Sequence, residues 1–294
     1  MVKSAKKRPK TILVTGGAGF IGSNLIEQLV KDRSNRVISL DNYFTGSKKN
    51  HIAGARYIAG HTKDIERHVK EMPDIVYHLG EYSRVEKSFD DAAMVWDLNI
   101  VGTLAVLEFC RKNGIKIVYA GSSTKFGDGG LGRYQSPYAW TKALNTELVG
   151  NYGSWFNLPY AITYFYNVYG PREIASGPYA TLIGIFGELY LHGKPLKVVR
   201  PGTQKRNFTY VEDIVSGLIL VGNKGEGDDY GIGSERSYSI IDVAKMFRTK
   251  IAMLPERQGN RMGSSINTSK VRALGWKPKH QLKDYIKEVL SSKK

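Results

Sequence analysis

The sequence predicts an α/β protein built on a doubly wound parallel sheet, with a smaller part toward the C-terminus. Short, continuously apolar runs recur from residue 11 onward, amphipathic segments separate them, and the first run ends in a cluster of glycines. Strands that are apolar along their whole length belong to sheets covered on both faces, which requires parallel pairing and helical crossovers. Thr11–Thr15 (TILVT) reads as the first strand and residues 20–32 as the first helix. Arg36–Asp41 (RVISLD), 56–59, 74–79 (DIVYHL), 116–120 (KIVYA) and 159–166 follow as strands. Residues 94–113 and 138–152 carry helical periodicity. Residues 10–170 therefore form the expected first domain. Beyond them, Gly170-Pro171, Gly177-Pro178, Gly193 to Pro195 and Pro201-Gly202 cut the chain into shorter elements. Residues 171–205 and 223–290 are expected to form the smaller domain. Residues 208–221 read as a helix, and 206–222 are expected to return to the first domain. Residues 1–9 and 291–294 read as basic tails.

The 294 residues hold 43 Lys and Arg against 27 Asp and Glu, a formal charge of +16. Five of those cations fall in the first ten residues and two are Lys293 and Lys294, so the tails carry much of the excess. No interleaved aromatic and basic pattern marks a nucleic-acid surface, and no nucleic-acid partner is expected. The remaining excess suits an anionic ligand such as a nucleotide diphosphate. An apolar fraction of 41% excludes a disordered or collagen-like chain. No uninterrupted run of 18 apolar residues is present, so no membrane span is expected. The basic start lacks a following apolar segment with a cleavage site and does not read as a secretory signal. Cys110, the only cysteine, forms no internal disulfide, which fits a reducing cytoplasm. No metal site is expected.

The first strand runs into Thr15-Gly16-Gly17-Ala18-Gly19-Phe20-Ile21-Gly22, which contains both Gly17-x-Gly19-x-x-Gly22 and Gly16-x-x-Gly19-x-x-Gly22. Glycines are needed where a pyrophosphate approaches backbone N–H groups at a helix N-terminus. A glycine triplet alone is weak, but here a strand precedes it, a helix follows, and an acidic residue closes the next strand. That residue, Asp41, lies 19 positions beyond Gly22 and suits the ribose hydroxyls of a dinucleotide. It would repel a 2′-phosphate, so NAD is the expected cofactor rather than NADP. Asp64 and Ile65 follow the third strand, and two readings stand: they hold the adenine edge, or Asp64 caps a helix. His78 reads as a packed core histidine rather than a catalyst.

Tyr138 and Lys142 stand four apart on one helical face, and Ser122 lies 16 residues upstream at the end of the fifth strand. A phenol is a poor base near neutral pH unless a neighbouring cation and a positively charged nicotinamide stabilise its phenolate. With these residues on the page, the chain resembles the extended short-chain dehydrogenase/reductase family, in its NAD-dependent nucleotide-sugar epimerase/dehydratase branch. The resemblance covers roughly residues 10–288 and rests on TGGAGFIGSNL, LDNYFTG, VYHLGEYSRVEKS, YAGSSTKFG, SPYAWTK, YNVYGPR, RNFTYVEDI and LGWKP, in that order. It implies a Rossmann sheet with NAD bound, Tyr138 as acid/base, Lys142 on the nicotinamide ribose and Ser122 on the substrate hydroxyl. It further implies cofactor contacts from Phe20, Ile21, Asn42 and Leu79. For a nucleotide-sugar substrate it implies contacts from Ser83, Asn167, Arg206 and Arg257, and it implies a homodimer through residues 94–113 and 138–152.

In this branch the resemblance implies oxidation of a sugar hydroxyl, usually at C4, to a keto-sugar. An epimerase then turns the keto-sugar over and returns the hydride to the other face, and this outcome is the leading expectation. The 4,6-dehydratases of the family carry Asp-Glu directly after the strand-five Ser/Thr, where this chain has Ser123 and Thr124, neither of which serves as a carboxylic acid. A nucleotide-sugar dehydrogenase, or another member that forms a keto-sugar, is the alternative. A non-catalytic NAD-binding regulator is a further one, opposed by the intact Ser122, Tyr138 and Lys142. Three departures point to a divergent substrate: only ten residues separate Gly127 from Tyr138, Lys125-Phe126 replaces an apolar-Tyr pair, and the C-terminal part is short. Glu81 is unusual where small or apolar residues are the rule, and it is expected either to face solvent or to touch the sugar. Val95, Leu98, Val101, Leu104 and Ala105 form an apolar stripe suited to a core or to an interface.

Overall fold

Parallel strands need a crossover for every return, and the chain supplies helices for most of them, with only the short 3-10 turn Lys48–Asn50 in the return after Arg36–Asp41. A computed structural model describes residues 9–123, 132–256 and 266–292. The first half runs β1 (Thr11–Thr15), α1 (Phe20–Leu29), β2 (Arg36–Asp41), β3 (Ala55–Ala59), α2 (Ile65–His68) and β4 (Ile75–His78). It continues through α3 (Ala92–Val95), α4 (Gly102–Asn113), β5 (Lys116–Ser122), α5 (Pro137–Phe156) and β6 (Tyr160–Phe165). Then come β7 (Val168–Tyr169), α6 (Leu182–Leu191), β8 (Leu196–Val199), β9 (Lys205–Asn207), β10 (Thr209–Tyr210) and α7 (Val211–Lys224). The chain ends with β11 (Gly227–Ile232), β12 (Ser237–Ser239), α8 (Ile240–Met246), β13 (Ile251–Leu254), α9 (Ser269–Ala273) and α10 (Leu282–Ser291).

Seven strands form one sheet in the order β11-β6-β5-β4-β1-β2-β3, every neighbouring pair parallel. The chain builds outward from β1 to β3, crosses back, and builds from β4 to the other edge. That reversal leaves a crevice between the C-terminal ends of β1 and β4, the place where open α/β sheets hold ligands. Leu25, Ile26 and Leu29 of α1 and Val211, Ile214 and Leu218 of α7 cover one face. Val106, Leu107 and Cys110 of α4 with Val149 and Tyr152 of α5 cover the other. A third core gathers around Phe186 of α6 and Phe247 after α8, joined by Ile286 of α10 and by Leu196 and Val198 of β8. Three two-stranded sheets, β7 with β10, β9 with β12 and β8 with β13, accompany it.

Several expectations shift. Residue 227 onward was expected in the smaller part, yet β11 forms the edge of the main sheet, pairing with β6 across a register break between Gly227 and Tyr230. The helix expected from 208 begins at Val211, because Thr209–Tyr210 first pair with Val168–Tyr169. The first helix stops at Leu29 rather than at residue 32. Between α3 and α4 the chain passes through a π-helical turn, Trp96–Val101. Such a turn holds extra residues and rotates the side chains that follow. The apolar stripe divides accordingly: Val95 and Leu98 are core, whereas Val101 and Leu104 are exposed. Ala92–Asn113 is long and apolar enough to cross a membrane, but half of it is buried within the protein.

Candidate active site

The crevice continues into a cleft of about 700 Å³. Its floor is the glycine turn. Gly16 adopts φ +70°, and a Cβ on Gly22 would lie 2.1 Å from the Gly16 carbonyl oxygen, so both positions demand glycine. Gly16, Gly19, Phe20, Ile21 and Gly22 line the cleft. Gly17 does not line it. A Cβ there would strike Ser39 and Ile26, so this glycine serves packing, and Gly16, Gly19 and Gly22 are the ones that face a ligand. Gly19 caps α1 without a side chain, which leaves the first N–H groups of that helix turned to the cleft. Thr15 Oγ1 accepts from the backbone N–H groups of Leu79 (3.1 Å) and Gly80 (3.0 Å), which ties the ends of β1 and β4 together.

Asp41, at the end of β2, is 6% exposed. Its two oxygens accept from the Ala18 and Tyr43 N–H groups at 2.8 Å each, and burial raises its carboxyl above the ordinary range. Asn42 and Leu79 line the cleft as well. Asn42 Oδ1 accepts from the Phe44 N–H. Asp64 stands at the start of α2 without a side-chain cap bond, and Ile65 is 1% exposed within the core. Neither is among the described residues lining the cleft, so the cap reading of Asp64 holds for its place in the chain but not for its side chain.

Ser136 starts α5, its Oγ accepting from the Ala139 N–H at 3.1 Å, with Pro137 at the first helical position. That start aims the first turn of α5 at the end of β5. Tyr138 Oη donates to Ser122 Oγ at 3.2 Å, and both side chains line the cleft with Lys142 one turn further. Ser122 lies within β5 as its last residue rather than just beyond it. Lys142 Nζ donates to the Ala120 carbonyl and to Glu81, and lies 4.5 Å from the centre of the Tyr119 ring. Glu81 lines the cleft and does not face solvent, which corrects the first of the two expectations made for it. Its side chain is 4% exposed and its partner is the lysine.

His78, fully buried, lies between Thr15 Oγ1 (2.7 Å) and Thr103 Oγ1 (2.9 Å), and burial pulls it down to about 4, so it stays neutral. Ser83 is exposed and Asn167 donates to the Asn207 carbonyl, and both line the cleft. Arg206, on β9, is not among the described residues that do. Arg257 lies outside the described residues, as do Thr124, Lys125, Phe126 and Gly127. Arg84, Lys87 and Lys197 line the cleft without having been singled out beforehand. Arg84 is held by the carbonyls of Tyr179 and Ser83. The only signal for these cations was their charge, which the sequence spreads everywhere.

A helix N-terminus, a buried carboxylate at the next strand end and a tyrosine–serine–lysine cluster define a dinucleotide-dependent enzyme acting on an alcohol. The NAD dependent epimerase/dehydratase family matches residues 12–233. A Methanocaldococcus jannaschii protein provisionally named UDP-glucose 4-epimerase is 32% identical, covering 95% of this chain and 97% of its own. UDP-glucuronic acid decarboxylase 6 of Arabidopsis thaliana is 31% identical over 93% of this chain and 85% of its own. The crystal structure of Thermus thermophilus UDP-glucose 4-epimerase in complex with NAD superposes with a TM-score of 0.86, at 28% identity over 96% of this chain and 98% of that one. The chain belongs to the NAD-dependent epimerase/dehydratase family. It is an enzyme of that family and its cofactor is NAD, which the glycine cradle and Asp41 fit.

Proposed function

We propose that the enzyme is a nucleotide-sugar 4-epimerase, with a UDP-hexose such as UDP-glucose as its substrate class. The observation that carries this reading is the hydrogen bond from Tyr138 Oη to Ser122 Oγ at the mouth of the dinucleotide cleft. Gly16, Gly19, Phe20, Ile21 and Gly22 would hold the cofactor pyrophosphate, Asp41 and Asn42 the adenosine ribose, Leu79 the inner wall and Lys142 the nicotinamide ribose. When bound, NAD supplies the acceptor and donor of a hydride. Tyr138 takes the proton of the sugar C4 hydroxyl and later returns it, and Ser122 holds that oxygen in place. Ser83 and Asn167 contact the substrate. Arg84 and Lys197, which line the same cleft, supply positive charge there, a role the resemblance gives to Arg206 and Arg257.

The cleft-lining residues and the small sheets around Phe186 support a substrate part that follows the cofactor part. Exposed Met94, Trp96, Val101, Leu104 and Trp140, carried by the Ala92–Asn113 stretch and by α5, support a homodimer through these helices, to be checked by sedimentation velocity. The lone, buried Cys110 agrees with a cytoplasmic location.

Purified protein incubated with UDP-glucose is expected to form UDP-galactose with no lasting absorbance at 340 nm. Net NADH formation would instead establish a dehydrogenase, and release of carbon dioxide from UDP-glucuronic acid would establish a decarboxylase.

A further inference from the structure

The Glu81–Lys142 contact joins residues 61 positions apart, both nearly excluded from water. Glu81 is surrounded by donors. Oε2 takes Lys142 Nζ, while Oε1 takes Asn145 Nδ2 (2.7 Å), Thr103 Oγ1 (2.9 Å) and Tyr119 Oη (3.1 Å). The chain behind it has one direction. Thr15 Oγ1 already accepts two backbone N–H groups, so its proton goes to His78 Nδ1. The His78 Nε2–H is then left for Thr103, whose own proton goes to Glu81. This bond network assigns the histidine tautomer and aims every donor at an ionised carboxylate. Although burial works to raise it, the Lys142 charge and the hydrogen bonds from Lys142 and Thr103 hold the carboxyl below its ordinary range. Of the three N–H bonds of the Lys142 ammonium, one goes to Glu81 and one to the Ala120 carbonyl, which leaves one for the cleft.

We propose that Glu81 is a positioning residue: it clamps the Lys142 ammonium one turn from Tyr138 and offsets its charge, thereby favouring the oxidised, cationic form of the cofactor. The proposal rests on the cleft being the NAD site. The titratable groups that face the pair are Tyr119 on β5 and His78 on β4, with Tyr138 one turn before Lys142 on α5; Arg84, in the loop after β4, faces Tyr138 rather than the pair. His78 is neutral, so the Glu81 carboxylate is the anion set directly against Lys142. With it gone, one more net positive charge stands beside both the phenol and the nicotinamide.

The test compares wild type with Glu81→Gln, which keeps the shape and removes the charge, and with Glu81→Asp, which keeps the charge. Protein freed of retained dinucleotide is titrated with NAD and with NADH, followed by tryptophan fluorescence. Glu81→Gln is expected to lower the ratio of NAD affinity to NADH affinity about tenfold, the scale of one added or removed neighbouring charge. Glu81→Asp should keep the ratio within about threefold. In turnover with UDP-glucose, the acidic limb of the kcat/KM profile should move about one pH unit lower in Glu81→Gln and stay in place in Glu81→Asp. If Glu81→Gln does not fold, Glu81→Ala, with the small side chain usual at this position, takes its place with the same expectation. Loss of a buried ion pair that served stability alone would lower Tm and weaken both dinucleotides equally. An unchanged ratio in a wild type that binds both therefore overturns the proposal by itself. A wild type that binds neither dinucleotide overturns the cofactor reading and the proposal with it.

Discussion

Replacing Asp41 by Asn should erase the discrimination between NAD and NADP. The carboxylate is nearly buried, and each oxygen accepts one backbone N–H at 2.8 Å, from Ala18 and from Tyr43. Each oxygen keeps a further lone pair for a ribose hydroxyl. Exchanging two charge-assisted bonds for neutral ones costs about 1–3 kcal/mol in all, or roughly ten- to a hundredfold in NAD affinity. A 2′-phosphate about 4 Å from the carboxylate would meet a repulsion of about 4 kcal/mol per unit charge at an effective dielectric constant near 20. Asn lifts it. The two effects together should lower the NAD to NADP affinity ratio at least about a hundredfold. The amide also turns an N–H toward one of the two backbone donors, so stability falls by about 1–3 kcal/mol. Titration of wild type and Asp41→Asn with both dinucleotides, followed by tryptophan fluorescence, measures the ratio. A ratio within threefold of wild type would refute the reasoning. Burial raises the Asp41 carboxyl, so its charge is lost on acidification before that of an ordinary aspartate, and NAD binding should weaken as pH falls toward that range.

Tyr138→Phe should lose about two to four orders of magnitude in turnover while its NAD affinity stays within about threefold, since the hydroxyl is lost but the ring remains. Stopped assays and fluorescence titration check the two halves. Ser136→Ala removes the cap of α5 at a site 5% exposed and should cost about 1 kcal/mol, seen as a fall in Tm of about 2 °C. Burial pushes Glu173 up to about 7, so it stays protonated in the fold where the unfolded chain is already charged. A folded value above the unfolded one stabilises at low pH. Denaturant-derived stability should therefore decline by about 1–3 kcal/mol between pH 4.5 and 7.5, and Glu173→Gln should flatten that slope.

The sheet was legible because parallel strands buried on both faces write themselves as unbroken apolar runs, as TILVT and RVISLD do. β11 was not legible. Its GDDYGI is an edge strand with a register break, and two aspartates hide it. The glycine cradle, Asp41, Ser122 and Tyr138 could be read because short spacing along the chain decides their geometry. Glu81 could not, since its partners Thr103, Tyr119, Lys142 and Asn145 come from three elements that only the fold assembles. The stripe on residues 95–105 could not be divided between core and surface from sequence, because the π turn at Trp96–Val101, which no periodicity at 3.6 residues anticipates, buries Val95 and Leu98 and leaves Val101 and Leu104 exposed.

Conversion of UDP-glucose in deuterium oxide probes the chemistry of Tyr138 and its cleft most directly. A hydride held by the enzyme and handed back to the opposite face predicts UDP-galactose whose C4 carries no deuterium by mass spectrometry and proton NMR. Deuterium at C4 would mean that the carbon exchanged its hydrogen with water, contradicting oxidation and return at this site.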